Sequence, residues 1–565
     1  MKTKWQLIVS FIKQNKGLVV VAFLSGLCYN VFTLLVPISI GRFYEFNFGF
    51  SSHRLKLLSD LPFINTKNFI AFLIFFIVLI FFRFIFEYIN KYYIAIIGEK
   101  FAKTLREDLF KHQLQISNSV YAEKGIGKYL LRYSGDLKSI QNYVTRGLFR
   151  FSQDLLLIVF LLITIAYIDI KLGTIAAISI GLSIFVLFFI NNILYTISVD
   201  RRNQKSGMLT FVNTRLRAIL SIKAFNKYTP EEKRYRKRSE KLYAVGKEYQ
   251  KVVSLIQSII PFLTYLMIGL LMWYVYYLKT NNKGVFNESA ILILILLIIS
   301  FLPILRRTLR VSIIWKLGNI SFEKLLNIFS LEAENSLPFE NISLSKQPIN
   351  FKKVSFKYGF GSSLVFDEAD IKLLPNKITL ILGDSGTGKN TLINLLLKIY
   401  SPINGTITFG KYNYTDLSEK TIRKNISVIS DAFPLYGKTV YEAIVYNRKK
   451  EKEEKVSELL KSMQQFEDDN NKLDLHDTIG DLGNNLTRGQ KKILMYCRAI
   501  LTNKHYLIID KPFKDLNPRT ITYITQLLND LRKNKSIIVI DNIFPEYLNI
   551  DHFYTINNKI FEKGS

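Results

Sequence analysis

Six apolar runs occupy the first 305 residues, at 17–40, 68–97, 154–168, 172–195, 252–278 and 289–305. An α-helix needs ~20 apolar residues to cross the hydrocarbon of a bilayer, and most of these runs reach that length. A string of such runs predicts a helical membrane domain before any motif is sought. The third is short, and with the fourth it predicts a tight hairpin through Asp169-Ile170-Lys171. Composition agrees: 49% of the 565 residues are hydrophobic and 14% aromatic. Residues 1–16 are basic and amphipathic, with no small-residue cleavage site after a short apolar core. They read as a lead-in helix on the inner face and not as a removed signal.

Charge orients the spans. Residues 100–150 carry 10 Lys and Arg and residues 200–251 carry 15, against 7 in the three opposite loops together. Positive loops stay on the cytoplasmic side, so the two long segments face the cytosol. The same loops account for much of the +31 net charge. A nucleic-acid surface, which needs a basic soluble domain with a recognition motif, is not expected. Cys28 lies in a span and Cys497 in the C-terminal half, so no disulfide framework is expected. Each cytosolic segment runs to about fifty residues, and unstructured loops of that length are uncommon. The spans are therefore expected to continue into the cytosol as helices, turn over near 124–136 and 215–222, and return.

The C-terminal half opens differently. Gly383-Asp384-Ser385-Gly386-Thr387-Gly388-Lys389 follows the apolar run 378–382 and precedes a helical pattern. A glycine-rich turn between a buried strand and a helix lets backbone N–H groups curl around phosphate oxygens, with the positive helix end behind them. Lys389 is placed to reach the outer phosphates. The bland alternative is a plain glycine turn. The residue after the lysine, where a Ser or Thr hydroxyl ordinarily ligates magnesium, is Asn390. An amide oxygen is a weaker ligand. The hydroxyl of Thr391 points about 100° away along the helix. Magnesium binding is therefore expected to be weak or absent.

Six spans with long cytosolic extensions, followed by one nucleotide module, resemble a half-transporter of the ATP-binding cassette (ABC) exporter family, over nearly the whole chain. The resemblance implies a six-span helical transmembrane domain over 1–328, a linker over 329–349, and an α/β phosphate-loop cassette over 350–565 with a helical subdomain around 439–481. Gly127-Lys128-Tyr129-Leu130-Leu131-Arg132 with Asp136 resembles the first coupling region, and Ile222-Lys223-Ala224-Phe225 sits where the second extension carries similar residues. Tyr358 is placed like the ring on which adenine stacks, although a packed strand tyrosine uses the same ring. Asp477-Thr478-Ile479-Gly480-Asp481-Leu482-Gly483 resembles the stretch before the signature. Leu486-Thr487-Arg488-Gly489-Gln490 stands for the signature itself, and Asp510 for the Walker B aspartate, which would help to place any magnesium.

The departures cluster where this family does its chemistry. Asp431 occupies the position of the glutamine that senses magnesium and water. Lys511 replaces the glutamate that polarises the water, and Asn542 the switch histidine. With Asn390, four positions change together. Transfer of phosphate to water requires an acceptor that orients the nucleophile, and a protonated lysine has no lone pair for that task. Lys511 can still face a γ-phosphate as a point charge. The resemblance thus implies an ATP-holding subunit whose own ATPase residues are degenerate, with Asn390, Asp431 and Asp510 as the weak magnesium ligands. Drift to a module that binds no nucleotide is the alternative.

In the family two cassettes close head to tail, each ATP lying between one phosphate loop and the other chain's signature. Self-pairing would place all four changes in both sites, so the expected partner is a different, hydrolytic half, whose site would borrow Thr487, Gly489 and Gln490. The expected function is export of a hydrophobic or amphipathic peptide, lipid or drug from the bacterial cytoplasmic membrane. A non-transporting regulatory subunit and a homodimer with residual ATPase are the other readings. Arg83 and Glu87, four residues apart in the second span, can pair on one helix face. Arg306, Arg307 and Arg310 either line a basic vestibule or snorkel to the interface.

Overall fold

The computed structural model describes the chain apart from residues 1–2, 49–68, 125–128, 130–131, 281–294, 298, 300–302, 305–306, 309, 332, 335–341, 343, 360–362, 447–451 and 565. Two compact units divide it, Met1–Leu114 with Lys124–Leu331, and Gln115–Glu123 with Glu332–Ser565.

Among the described residues, five helices of the first unit are long and apolar enough to cross a membrane: Lys16–Gly41, Phe69–Gln113, Leu137–Tyr167, Ile170–Arg217 and Tyr228–Tyr277. The sixth run, 289–305, falls largely outside the described residues. Three of the five have 45, 48 and 50 residues. At 1.5 Å per residue each is about 70 Å long, more than twice the ~30 Å hydrocarbon layer. The excess is the helical continuation expected from the two basic segments.

The third span starts well before 154. Arg146, Arg150 and Asp154 interrupt its apolar pattern and hide its first half from a hydropathy reading. Asp154 is neutralised by Arg307, whose Nη2 and Nε donate to its two carboxylate oxygens at 2.8 and 3.2 Å. Arg307 is thus paired with Asp154 while its side chain stays 40% exposed. Arg310 is exposed, and Arg306 lies outside the described residues. The hairpin at 169–171 forms as expected. The Asp169 carboxylate accepts from the N–H groups of Lys171 and Leu172 at 2.8 and 3.2 Å, capping the next helix.

Arg83 and Glu87 do not pair. Glu87 takes Lys91 at 2.6 Å, the favourable order for an i,i+4 pair, while Arg83 donates to Thr33 Oγ1 at 3.4 Å and lies over the Tyr29 ring. Buried amides tie the first three spans together. Asn90 and Gln153 both donate to the Ala22 carbonyl, at 2.8 and 2.9 Å, and Asn30 donates to the Gln153 carbonyl at 2.9 Å. Such bonds replace the hydrophobic driving force that lipid withholds from helix association. Asp136 is a second clasp, buried among Arg132, Arg202 and the Ser321 hydroxyl, which donates at 3.0 Å.

In the second unit, a four-stranded antiparallel sheet is ordered β2 (Phe366–Leu373), β1 (Ile349–Phe356), β4 (Asn404–Phe409), β5 (Tyr412–Asn413). A six-stranded sheet is ordered β10 (Ile560–Lys563), β9 (His552–Asn557), β3 (Ile378–Leu382), β8 (Ser536–Asp541), β7 (Tyr506–Asp510), β6 (Ile426–Ile429). β3, β7 and β8 pair in parallel and are nearly all buried, which explains their unbroken Ile, Leu and Val runs. Functional loops leave the C-terminal ends of these strands, where ligands bind in open α/β sheets.

The first cytosolic turn comes earlier than 124–136. Ile116 bridges to Ala333, and Asn118, heading the short helix Asn118–Lys124, donates to the Tyr400 hydroxyl at 2.9 Å. These contacts group 115–123 with the cassette strands. Tyr129 is buried, while Gly127, Lys128, Leu130 and Leu131 lie outside the described residues. The second turn is the helix Ile219–Ala224, none of whose residues is buried.

Candidate nucleotide site

The loop after β3 has the form that its glycines predict. Gly388 holds φ +104° as the cap of helix Lys389–Leu396, and a Cβ there would come 2.6 Å from Val365. Gly386 has φ +94°. Thr387 closes the turn through its hydroxyl, which donates to the Asp384 carbonyl at 3.0 Å. The Lys389 ammonium folds back over the loop and donates to the Gly383 carbonyl and, at 2.7 Å, to that of Asp384. Burial lowers its pKa first, and the nearby Lys511 lowers it further, against Asp510, Asp384 and Asp541.

Tyr358 is 46% exposed and stands edge-on to Phe356 and Tyr400, with ring centroids 5.0 and 5.3 Å away. Its hydroxyl meets Thr391 Oγ1 at 2.8 Å. The ring is close to half exposed and tied to the helix that follows the phosphate loop, a placement compatible with adenine stacking.

Around Asp510, at the end of β7, the sequence left two partners unrecognised. The buried Ser430 hydroxyl donates to Asp510 Oδ2 at 2.9 Å, and Lys492, 4% exposed, donates to the Asp510 carbonyl at 2.6 Å. Burial pushes the Lys492 pKa down, while Asp431, Asp510 and Asp541 hold it up. A lysine on the buried face of the amphipathic helix Arg488–Thr502 was the one available signal. Lys511 turns away from the strand at φ +50°, a conformation a non-glycine residue rarely adopts, and its N–H donates to the Ile540 carbonyl at 2.8 Å. Asn542 is exposed just past β8, and Asp431 is exposed past β6.

Thr487 and Gln490 form a reciprocal capping box. Thr487 accepts from the Gln490 N–H at 3.2 Å, and Gln490 accepts from the Thr487 N–H at 2.8 Å. A Cβ on Gly489 would lie 2.7 Å from the Asp515 carbonyl, so glycine is required there by packing within this chain. Arg488 occupies the first helical position, where a side chain is accommodated. Among the described residues no hydrogen bond or ion pair joins 487–490 to the loop 383–389.

A family model described as the ABC transporter transmembrane region matches residues 19–302, half of the chain, and a second, described as ABC transporter, matches 366–514. The chain belongs to the ABC transporter family. Proteins named ATP-dependent lipid A-core flippase resemble this ABC transporter along most of its length. That of Pasteurella multocida is 23% identical over 513 residues, 90% of this chain and 87% of the relative. That of Haemophilus influenzae (strain 86-028NP) is 24% identical over 486 residues, 85% and 82%. A structure described as a bacterial Atm1-family ABC exporter with ATP bound superimposes with TM-score 0.83 at 16% identity, covering 97% of this chain and 95% of the other. This ABC transporter thus has the exporter fold, with spans and cassette in one polypeptide, and is an integral membrane protein.

ATP fits the loop 383–389 of this ABC transporter. Magnesium, which the family ordinarily brings with it, fits poorly. Asn390 supplies an amide in place of a hydroxyl, and one oxygen of Asp510 already accepts from Ser430.

Proposed function

We propose that this chain is one half of an exporter. It holds ATP at its own site with little or no turnover and moves a hydrophobic or amphipathic substrate together with a different, hydrolytic half. Lys389, Gly383, Ser385, Gly386, Thr387 and Gly388 hold phosphate, Tyr358 stacks adenine, and Thr487, Gly489 and Gln490 complete the partner's site. The observation that carries the reading is Lys511 directly after Asp510 at the end of β7, beside an intact phosphate loop over which Lys389 folds. A cation there neutralises phosphate but cannot draw a proton from water.

The relatives' names make a lipid the first substrate to test. An amphipath with an anionic head also matches a cavity of about 920 Å³ within the first unit, lined by Arg132, Arg201, Lys205, Arg238 and Lys324 with Asp136. The deciding experiment measures ATP binding and hydrolysis by the purified chain, alone and with candidate partner halves, beside the Lys511→Glu, Asn542→His double variant. Binding without turnover alone, and turnover on pairing, is the expected result. Robust turnover by the unmodified chain alone would overturn the role given to Lys511 and favour a homodimeric pump.

A further inference from the structure

We propose that the basic cavity of the first unit is a binding site for clustered phosphates, carried by the head of a lipid or by a soluble polyanion. The inference deepens the substrate side of the exporter reading and rests on it for what the ligand is for.

Charge is the first argument. Asp136 is the one carboxylate lining the cavity among the described residues, and it is buried and taken by Arg132 and Arg202. Arg215, another lining residue, pairs with Glu231 at 2.8 Å. The remaining lining cations, Arg201, Lys205, Arg238 and Lys324, form no hydrogen bond or salt bridge among the described residues. Cations that converge on one recess without counter-charge repel one another and concentrate anions there. The rule that keeps positive loops in the cytosol counts charges anywhere in a loop and does not require them to meet around one space.

Aromatic rings hold two of these four. The Arg201 guanidinium lies over Tyr249 at 4.5 Å and that of Arg238 over Phe211 at 4.9 Å, and both rings line the cavity. A ring contact fixes the guanidinium without using its N–H donors, which leaves the planar fork for phosphate oxygens. The volume of about 920 Å³ lies in the upper range of small-molecule sites, so the ligand is larger than one inorganic ion.

Depth selects the head of an amphipath over its tails. Arg201, Lys205 and Thr214 follow Tyr195, where the apolar run ends, by 6, 10 and 19 residues of one continuous helix. At 1.5 Å per residue they lie roughly 9–28 Å beyond it. Headgroups extend only about 5–8 Å past the hydrocarbon on each side. The recess therefore starts where the headgroup layer ends, and acyl chains stay beside the spans while the phosphates reach in.

The test is titration calorimetry of tripolyphosphate into the full chain in detergent without ATP, with Lys389→Ala carried throughout to silence the phosphate loop. Binding is expected. The Lys205→Glu, Lys324→Gln variant should lose about tenfold or more, the scale of one charge-assisted bond. Lys241→Glu, outside the cavity on the same helix as Arg238, should stay within about twofold, because a solvent-exposed charge is screened. Should the double variant fail to fold, Lys205→Glu alone, which breaks no bond, gives the same contrast. Repeating the titration in phosphatidylcholine nanodiscs with and without cardiolipin separates the sources. Competition by cardiolipin assigns the cavity to a lipid head, and indifference to it assigns a soluble polyanion. Absence of tripolyphosphate binding, or an equal loss from Lys241→Glu, overturns the site. Failure of ATP retention or of partner-dependent turnover would sink the exporter reading and leave this binding result standing.

Discussion

The Tyr358 hydroxyl and the Thr391 hydroxyl meet at 2.8 Å, so the ring proposed to stack adenine is fixed by the very helix that carries the phosphate loop. The spacing between base platform and phosphate loop is thereby set before nucleotide arrives, which cuts the ordering cost of binding. Tyr358→Ala is expected to weaken ATP binding by about 1 kcal/mol, the usual worth of an aromatic contact beyond area. Thr391→Val should have a smaller effect, because the ring remains and only its tether is lost. Calorimetric titration of both variants separates the ring from the tether.

Gly489 faces the Asp515 carbonyl so closely that a methyl group cannot enter without moving backbone. Gly489→Ala should destabilise the cassette by roughly 1–3 kcal/mol, the cost of overpacking. Arg488→Ala, at a position with room for a side chain, should be near neutral. Thermal unfolding of the two variants checks the contrast, and equal effects would remove the structural reason for the glycine.

Asp551 anchors the start of β3. Its carboxylate accepts from the Ile378 N–H at 2.9 Å and from Lys377 at 3.0 Å, with Arg532 at 3.7 Å. Burial raises its pKa, but these bonds and charges outweigh it, and the net value falls below the ordinary 3.8. The folded state therefore binds this proton less readily than the unfolded chain. The contribution is complete above about pH 3.8 and is lost as pH falls through the depressed value. Asp551→Asn should cost about 1–3 kcal/mol at neutral pH, and the gap from the unmodified chain should close in acid. Denaturant unfolding across pH measures it.

Asp154 and Arg307 join the third span to the stretch before helix Val311–Phe329 through two bonds. Removing only one partner leaves an uncompensated charge, so Asp154→Asn should lower folded yield and thermal stability markedly. The Asp154→Leu, Arg307→Leu pair should recover much of the loss, since replacing both ions with apolar groups is often neutral or better. A double-mutant cycle in thermal unfolding reads the coupling.

Much of this architecture could be read before the structure. Long apolar runs, the asymmetry of Lys and Arg, and glycines at 386 and 388 each reflect a local requirement that sequence displays directly. What stayed hidden depends on partners distant in the chain. Arg146, Arg150 and Asp154 looked like the end of a span because Arg307, which neutralises Asp154, lies 153 residues away. Glu87 seemed free to pair with Arg83 until Lys91, a better-ordered partner, took it. At the nucleotide site the changed residues 390, 431, 511 and 542 were visible one by one. The roles of Ser430 and Lys492 were not, because β6, β7 and helix Arg488–Thr502 meet at Asp510 only in the folded cassette.

The short segment Gln115–Glu123 has a consequence for biosynthesis. Asn118 bonds to Tyr400, 282 positions later, and Ile116 bridges to Ala333. At synthesis rates of 5–20 residues per second, the Tyr400 partner leaves the ribosome roughly 15–55 s after Asn118. Through that interval the spans before and after it can insert while this short helix waits unpaired, a window in which a chaperone or protease can reach it. A segment made early is thus completed only after the cassette's first strands have been made.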